Sequence, residues 1–140
     1  MTDKELVKKA IEAKKNAYVP YSKFHVGAAL LTKDGEVYTG CNIECASYGG
    51  TNCAERTAIF KAVSEGHRNI EAIAVVSDLD DYTYPCGICR QVIVEYGTDI
   101  KMIIAKSEED FKIYTISDLL PNSFLPEDLE KAEAGHNNGI

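Results

Sequence analysis

The 140-residue sequence lacks three features that would place it in a membrane, outside the cell or on a nucleic acid. No apolar run approaches the roughly 20 residues that span a bilayer. No apolar signal core follows the N-terminal residues Met1–Glu5. The net charge is −7, whereas proteins that bind nucleic acids usually carry basic patches. The sequence therefore predicts a cytoplasmic protein that binds neither a membrane nor a nucleic acid polymer.

Internal repeats, low-complexity segments and domain linkers are missing as well. With 140 residues, of which 45% are hydrophobic and 26% charged, the chain is long enough to bury a core. We therefore predict a single domain over residues 1–140. The residues from Glu130 onward are mostly polar, which predicts a loose tail over 130–140.

The chain contains five cysteines. In a sequence without a secretion signal, a disulfide framework is not expected, and metal binding or catalysis is favoured for clustered cysteines. Cys41 and Cys45 stand apart from the other three, and we predict that both are small buried hydrophobic residues.

The hydrophobic pattern predicts an α/β fold. The predicted elements are a helix from Thr2 to about Ala17, strands over 24–32 and 36–43, a helix over 53–65, a strand over 70–77, a helix over 86–96, strands over 100–105 and 112–115, and a helical turn over 117–120. Asp34-Gly35 indicates an antiparallel hairpin, whereas strand–helix–strand crossovers need parallel neighbours. The prediction is a three-layer α/β/α sandwich with a mixed sheet of about five strands.

Three cysteines lie where helices are predicted to begin. Cys86 and Cys89 are three residues apart, which places both sulfurs on one helix face, and Cys53 opens another helix. The positive end of a helix dipole favours the thiolate that a metal needs. Three thiolates can hold zinc and leave its fourth tetrahedral position open. Alone, the Cys-x-x-Cys pair also fits a redox pair or half of a structural zinc site.

Charged residues follow these cysteines directly. Glu55 lies two residues after Cys53, where a carboxylate could move protons or could simply complement the helix dipole. Three thiolates exceed the charge of Zn²⁺ by one, so a cation hydrogen-bonded to the sulfurs would restore its strength as a Lewis acid. We predict Arg56 for this role in preference to Arg90, although either could be an ordinary surface arginine.

Five motifs follow one another between Tyr18 and about Leu129. They are Pro20–Ala28 (PYSKFHVGA), Gly40–Glu44 (GCNIE), Cys53–Ala58 (CAERTA), Pro85–Gln91 (PCGICRQ) and Leu119–Phe124 (LLPNSF). Together they resemble the cytidine deaminase family, in particular its small homotetrameric, three-cysteine type. The resemblance implies zinc-dependent hydrolysis of cytidine and 2′-deoxycytidine to uridine and 2′-deoxyuridine, with release of ammonia, in pyrimidine salvage.

The resemblance also implies roles for individual residues. Cys53, Cys86 and Cys89 would bind one zinc ion per subunit, and Glu55 would shuttle protons. The residues expected to contact the nucleoside are Phe24 on the pyrimidine ring, Asn42 and Glu44 on the ribose hydroxyls, and the Ala54 backbone with the loop around Tyr84 on the base edge. Ala46, Tyr48 and Phe124 would reach the site of a neighbouring subunit, so that the active sites of a homotetramer are shared.

Simpler interpretations of these residues remain open. Phe24 could belong to the core, Asn42 and Glu44 could share a solvated strand face, and Tyr48 could be a surface tyrosine. Cys45 departs from the family pattern and could act as a fourth ligand that closes the zinc site. Tyr84 also departs from it, since a small residue is common at that position.

Two other functions also remain open. One is deamination of a different cytosine nucleoside, such as an antibiotic of the blasticidin type or a modified cytidine. The other is a noncatalytic zinc-binding or interaction module.

Overall fold

A computed structural model of the chain describes residues 1–137, with side chains to Glu133. In chain order the elements are α1 (Asp3–Lys14), β1 (Val26–Thr32), β2 (Val37–Cys41), a 3₁₀ turn (Tyr48–Gly50), α2 (Ala54–Ser64), β3 (Ile70–Ser77), α3 (Gly87–Val94), β4 (Lys101–Ser107), β5 (Asp110–Thr115), α4 (Ile116–Leu119) and α5 (Pro126–Asn137). Within the described part of the chain, no helix has both the length and the apolar character needed to cross a membrane.

The five strands form one mixed sheet in the order β2-β1-β3-β4-β5. The β3–β4 pair is parallel, and the other three pairs are antiparallel. The parallel pair is joined through α3, as a crossover connection requires. The mixed five-stranded sheet predicted from the sequence is confirmed.

Helices cover both faces of this sheet, because successive residues of its central strands point to opposite sides. On one face, small side chains such as Ala72 and Ala74 pack beneath Leu6 and Val7 of α1. On the other face, larger side chains such as Ile73 pack against the helices that follow β2. Buried members of this second cluster include Leu30, Ile59, Ile93, Ile104 and Ile116. The predicted three-layer α/β/α sandwich is confirmed.

A glycine lets α2 lie directly on β2. A β-carbon at Gly40 would come within 2.4 Å of the Ala54 carbonyl oxygen and 2.6 Å of the Ala58 amide nitrogen. Both distances are far below ordinary contact, so no other residue fits here unless the helix moves. The first turn of α2, which begins directly after Cys53, is therefore fixed against the edge strand.

Strand β1 begins at Val26 and not at Phe24, where the sequence predicted its start. The Phe24 amide donates to Ser22 Oγ at 3.1 Å, and the His25 amide donates to Asp78 Oδ2 at 2.7 Å. These two backbone amides therefore donate to side-chain oxygens and not to a neighbouring strand, so the segment before β1 does not join the sheet.

The chain end is helical up to Asn137, a helix that the sequence analysis did not predict; the looseness of the tail stays a prediction. Pro126 occupies the first helical position, where a missing N–H costs nothing. Asp128 Oδ2 accepts a hydrogen bond of 2.8 Å from the Leu125 amide. Good helix formers then continue the element, although its side chains at 129–133 are exposed. Residues 138–140 of the predicted tail lie outside the described residues.

Candidate metal centre and active site

Three cysteines meet where two helices begin. Cys53 is the N-cap of α2, Cys86 is the N-cap of α3, and Cys89 lies in the first turn of α3. Their sulfur atoms all lie within 4.8 Å of one another, and the Cys53 and Cys86 sulfurs are 3.8 Å apart. The structure thus brings together the three residues that the sequence predicted as metal ligands.

The sulfur geometry fits zinc. With Zn–S bonds of about 2.3 Å at tetrahedral angles, two ligand sulfurs lie about 3.8 Å apart, which agrees with the 3.8 Å between Cys53 and Cys86. Among the described residues, the cluster contains no fourth cysteine, histidine or carboxylate. Three protein ligands leave one tetrahedral position for water or substrate, as in catalytic zinc sites.

Cys45 does not join the cluster. The Cys45 side chain is exposed, and its backbone amide donates a hydrogen bond of 3.1 Å to Thr51 Oγ1 in the same loop. The hypothesis of a closed four-cysteine site is therefore wrong, and so is the prediction that Cys45 is buried. Cys41 is half-buried, and burial raises the pKa of its thiol.

The thiol cluster favours ionisation of one cysteine even without a metal ion. Hydrogen bonds from Cys89 and Arg56 outweigh burial and lower the pKa of Cys53 to about 5. The hydrogen bond to Cys53, together with burial, raises the pKa of Cys89. Without a metal ion, the Cys53 thiol is therefore the more acidic of the two.

Arg56 and Arg90, the two candidates for the cation beside the sulfurs, have different partners. Arg56 Nη2 donates to Cys53 Sγ at 3.1 Å, so this guanidinium offsets part of the negative charge of the thiols. Arg90 instead donates to two backbone carbonyls, from Nε to Pro85 at 2.7 Å and from Nη1 to Leu119 at 2.6 Å. The geometry supports the prediction of Arg56 as the cation beside the sulfurs. Arg90 thus joins the residue before Cys86 to the end of α4.

Glu55 is the buried carboxyl of the site. Only 4% of the residue is exposed, although it lies in the first turn of α2. Burial raises its pKa from 4.5 to about 7. A carboxyl that only complements a helix dipole has no need of burial, whereas a pKa near neutrality suits a group that both accepts and donates a proton. This environment supports the predicted proton-shuttling role.

Asn42 and Glu44 hold the segment that carries Phe24. Asn42 Oδ1 accepts from the Val26 amide at 2.9 Å, and its Nδ2 donates to the Phe24 carbonyl at 2.8 Å. Glu44 Oε1 accepts from the amides of Tyr21 and Ser22 at 3.0 and 3.1 Å. Hydrogen bonds from Ser22, followed by the Tyr21 amide, outweigh partial burial and lower the pKa of Glu44. These two side chains therefore do more than share a solvated face.

A cleft of about 390 Å³ lies beside Glu44. It is lined by Tyr21, Ser22, Glu44, Tyr48 and Thr51. The rings of Tyr21 and Tyr48 meet edge to face, with centroids 6.0 Å apart. Sequence reasoning missed Tyr21, Ser22 and Thr51 as members of this cleft. The motif that begins at Pro20 contains the first two, and their position beside Phe24 is the signal that could have found them.

Other predicted substrate residues lie outside the lining of this cleft or are exposed. Phe24 is half-buried, and Ala54 is fully buried at the start of α2. Ala46 is exposed, as are Tyr48 at 76% and Phe124 at 58%; neither Ala46 nor Phe124 lines the cleft. The Tyr84 hydroxyl lies 2.7 Å from that of Tyr114, which holds this side chain against β5.

Comparison with known proteins gives a consistent result. Residues 1–106 match the family described as the cytidine and deoxycytidylate deaminase zinc-binding region. A cytidine deaminase of Halalkalibacterium halodurans is 56% identical over 125 residues, covering 89% of this chain and 95% of the relative. The crystal structure of a cytidine deaminase from Burkholderia pseudomallei is 46% identical, covers 89% of this chain and 100% of that one, and has a TM-score of 0.85. A blasticidin-S deaminase of Bacillus cereus is 38% identical over 127 residues, covering 85% of this chain and 89% of that protein.

Proposed function

The chain belongs to the cytidine and deoxycytidylate deaminase family, and on that premise we propose that it hydrolyses cytidine and 2′-deoxycytidine. The products are uridine or 2′-deoxyuridine and ammonia, as in pyrimidine salvage. The observation that carries this proposal is the buried Glu55 two residues after Cys53, at the edge of a three-thiol cluster. The cytoplasmic location remains a prediction from the sequence.

The zinc cofactor of this family fits the thiol cluster. Cys53, Cys86 and Cys89 would hold one zinc ion per subunit, with Arg56 offsetting their excess negative charge. When bound, zinc supplies a Lewis acid that lowers the pKa of water toward neutrality. The donor set of three sulfurs, without a fourth protein ligand among the described residues, leaves room for this chemistry.

Glu55 carries the proton traffic. Its carboxylate accepts a proton from the attacking water and passes it to ring N3, which prepares C4 for attack. The carboxylate then takes a second proton, from the hydroxyl group now on C4, and delivers it to the departing amino group. C4 becomes a carbonyl, and the amino group leaves as ammonia. A pKa of about 7 lets one group perform both transfers near neutral pH.

The substrate is proposed to lie between Phe24 and the first turn of α2. Phe24 offers an aromatic face to the pyrimidine. After their contacts with the chain, Asn42 retains one amide hydrogen and Glu44 retains Oε2, which suit the ribose hydroxyls. The Ala54 amide opens α2 and is free of helical hydrogen bonds, so it suits the base edge together with the loop around Tyr84. A net charge of −7 suits a neutral nucleoside better than a polyanion.

We also propose that the protein is a homotetramer with shared active sites. Ala46, Tyr48 and Phe124 are exposed in the single chain, although the resemblance places them at a neighbour's site. The outer surfaces of α2 and α3 also expose large apolar side chains, with Phe60 at 48% and Ile88 at 63%. A second copy that covers these surfaces would bury them and complete the substrate cleft.

A turnover panel tests the proposed function. Zinc-loaded protein is mixed with cytidine, 2′-deoxycytidine, 5-methylcytidine and blasticidin S, and the loss of the amino group is followed by ultraviolet absorbance, with a chelator control. We expect conversion of the first two substrates and its loss with the chelator. Turnover of blasticidin S alone would favour the deaminase type of the Bacillus cereus relative. Zinc bound without any turnover would favour a noncatalytic module.

A further inference from the structure

His25 and Asp78 form a compact set of hydrogen bonds outside the roles assigned so far. Asp78 Oδ2 accepts from the His25 amide at 2.7 Å and lies 2.6 Å from His25 Nδ1. A carboxylate can only accept, so Nδ1 carries the proton of this bond. The Asp78 amide donates in return to the His25 carbonyl at 3.1 Å. Three hydrogen bonds thus join two residues that lie 53 positions apart.

A lysine at the end of α1 supports the same set. Lys14 Nζ lies 3.5 Å from Asp78 Oδ1 and donates to the Ser77 carbonyl at 3.2 Å. Although partial burial alone would raise the pKa of Asp78, hydrogen bonds from the amide and the ring of His25 hold it below its usual range. The carboxylate is therefore kept ionised where three parts of the chain meet.

The pair connects the segment that carries Phe24 to the loop that carries the metal ligand Cys86. Its histidine directly follows Phe24, the residue proposed to stack on the base. Its aspartate directly follows β3 and begins the loop that leads to Pro85 and the ligand Cys86. Any movement of Asp78 would therefore shift the Phe24 segment relative to the metal loop.

We propose that Asp78 and His25 are positioning residues. They hold Phe24 at the distance from the metal centre at which its ring can stack on the bound base. This inference rests on the proposed function. An ordinary surface ion pair would contribute little, and the two side chains are 38% and 41% exposed. This pair differs because a backbone amide on each side takes part, so that it fixes the course of the chain as well as the side chains.

The first test compares Asp78→Asn with Asp80→Asn. Asp80 is a matched control in the same loop, because its side chain is 98% exposed and its nearest cation, Lys106, is 3.9 Å away. For Asp78→Asn we expect KM for cytidine to rise about tenfold, with kcat changed less than about twofold and the zinc content unchanged. Stacking on Phe24 stabilises substrate and transition state alike, so its loss raises KM alone. Asp80→Asn should behave as the wild type.

The second test uses the histidine and guards against misfolding of Asp78→Asn. His25→Ala removes the ring donor and should raise KM about threefold, whereas His25→Asn keeps an N–H donor and should restore most of the affinity. In the double variant His25→Ala/Asp78→Asn, KM should rise less than the product of the two single effects.

The outcomes are separable. If the wild type does not deaminate cytidine, the proposed function fails and this inference fails with it. If the wild type is active but KM is unchanged in both Asp78→Asn and His25→Ala, only the positioning role is overturned. It is also overturned if these variants lose zinc and kcat in parallel, since the pair would then support the metal loop alone.

Discussion

The thiol cluster and Glu55 come from the starts of two packed helices, whereas the side chains proposed to contact the substrate come from loops and a strand end. Glu55 and Cys89 are buried, and their partners lie within the chain. Tyr48 and Phe124 are largely exposed. The chemical half of the site, which is the thiol cluster with Glu55, is thus complete in one chain. The recognition half, which is the set of proposed substrate residues, is partly exposed to solvent. A rigid centre can stay the same while the loops around it adapt to different nucleosides.

The largest expected effect is in the chemical half. Glu55→Gln should lower kcat by about 1000-fold, because general acid–base catalysis contributes on the order of 100- to 10,000-fold. Zinc content and uridine binding should be unchanged. Glu65→Gln, an exposed change at the other end of α2, is the matched control. A kcat within tenfold of the wild type in Glu55→Gln would remove Glu55 from the mechanism.

Burial of Glu55 should also be visible in stability. Its pKa is raised from 4.5 to about 7, so its favourable contribution is complete below pH 4.5 and is lost as the pH rises through 7. In metal-free, reduced protein, Glu55→Gln should therefore gain stability relative to the wild type as the pH rises, by about 3 kcal/mol above pH 7. Urea denaturation at pH 5 and pH 8 measures this difference. The same difference at both pH values would contradict it.

A smaller effect is expected in the recognition half. Glu44→Gln should raise KM for cytidine about tenfold, since a ribose hydroxyl loses a charged acceptor. With 2′,3′-dideoxycytidine, which lacks both hydroxyls, the rise should be clearly smaller. An equal rise with both substrates would show that Glu44 acts only by holding the amides of Tyr21 and Ser22.

The smallest effect tests whether the open half is completed by a neighbour. Phe124→Ala should raise KM about threefold, as expected for the loss of one exposed stacking or packing contact. Tetramers co-expressed from Phe124→Ala and Glu55→Gln chains should return KM toward the wild-type value. In these mixtures the working Glu55 would face an intact Phe124 from the inactive partner. If KM stays at the Phe124→Ala value, Phe124 acts within its own chain.

Part of the chemical half could be predicted from the sequence because its geometry is local, whereas the meeting of Cys53 with Cys86 and Cys89 was implied by the family resemblance. The spacing of Cys86 and Cys89 fixes their common helix face, and the helix starts at Cys53 and Cys86 follow from N-terminal patterns. The succession of helices and strands along the chain, and from it the three layers, followed from hydrophobic periodicity. These features depend on neighbours a few residues away.

Other features depended on contacts that hydrophobic periodicity does not show. The start of β1 was misplaced because Asp78, remote in sequence, takes the amide of His25. Cys45 was expected to be buried, but its loop folds outward around a bond to Thr51. The helix at Pro126–Asn137 was missed because its composition is polar and it needs little burial. The spacing of apolar residues carries no signal for such hydrogen bonds.

The contact at Gly40 makes zinc retention a gauge of backbone spacing. Because a β-carbon there would strike the first turn of α2, Gly40→Ala would have to lift the helix that begins beside Cys53. The sulfur of Cys53 would move with it, which would change its distances to the sulfurs of Cys86 and Cys89. A substitution in an edge strand, at a residue that is neither a ligand nor charged, would thus lower the zinc content of the protein.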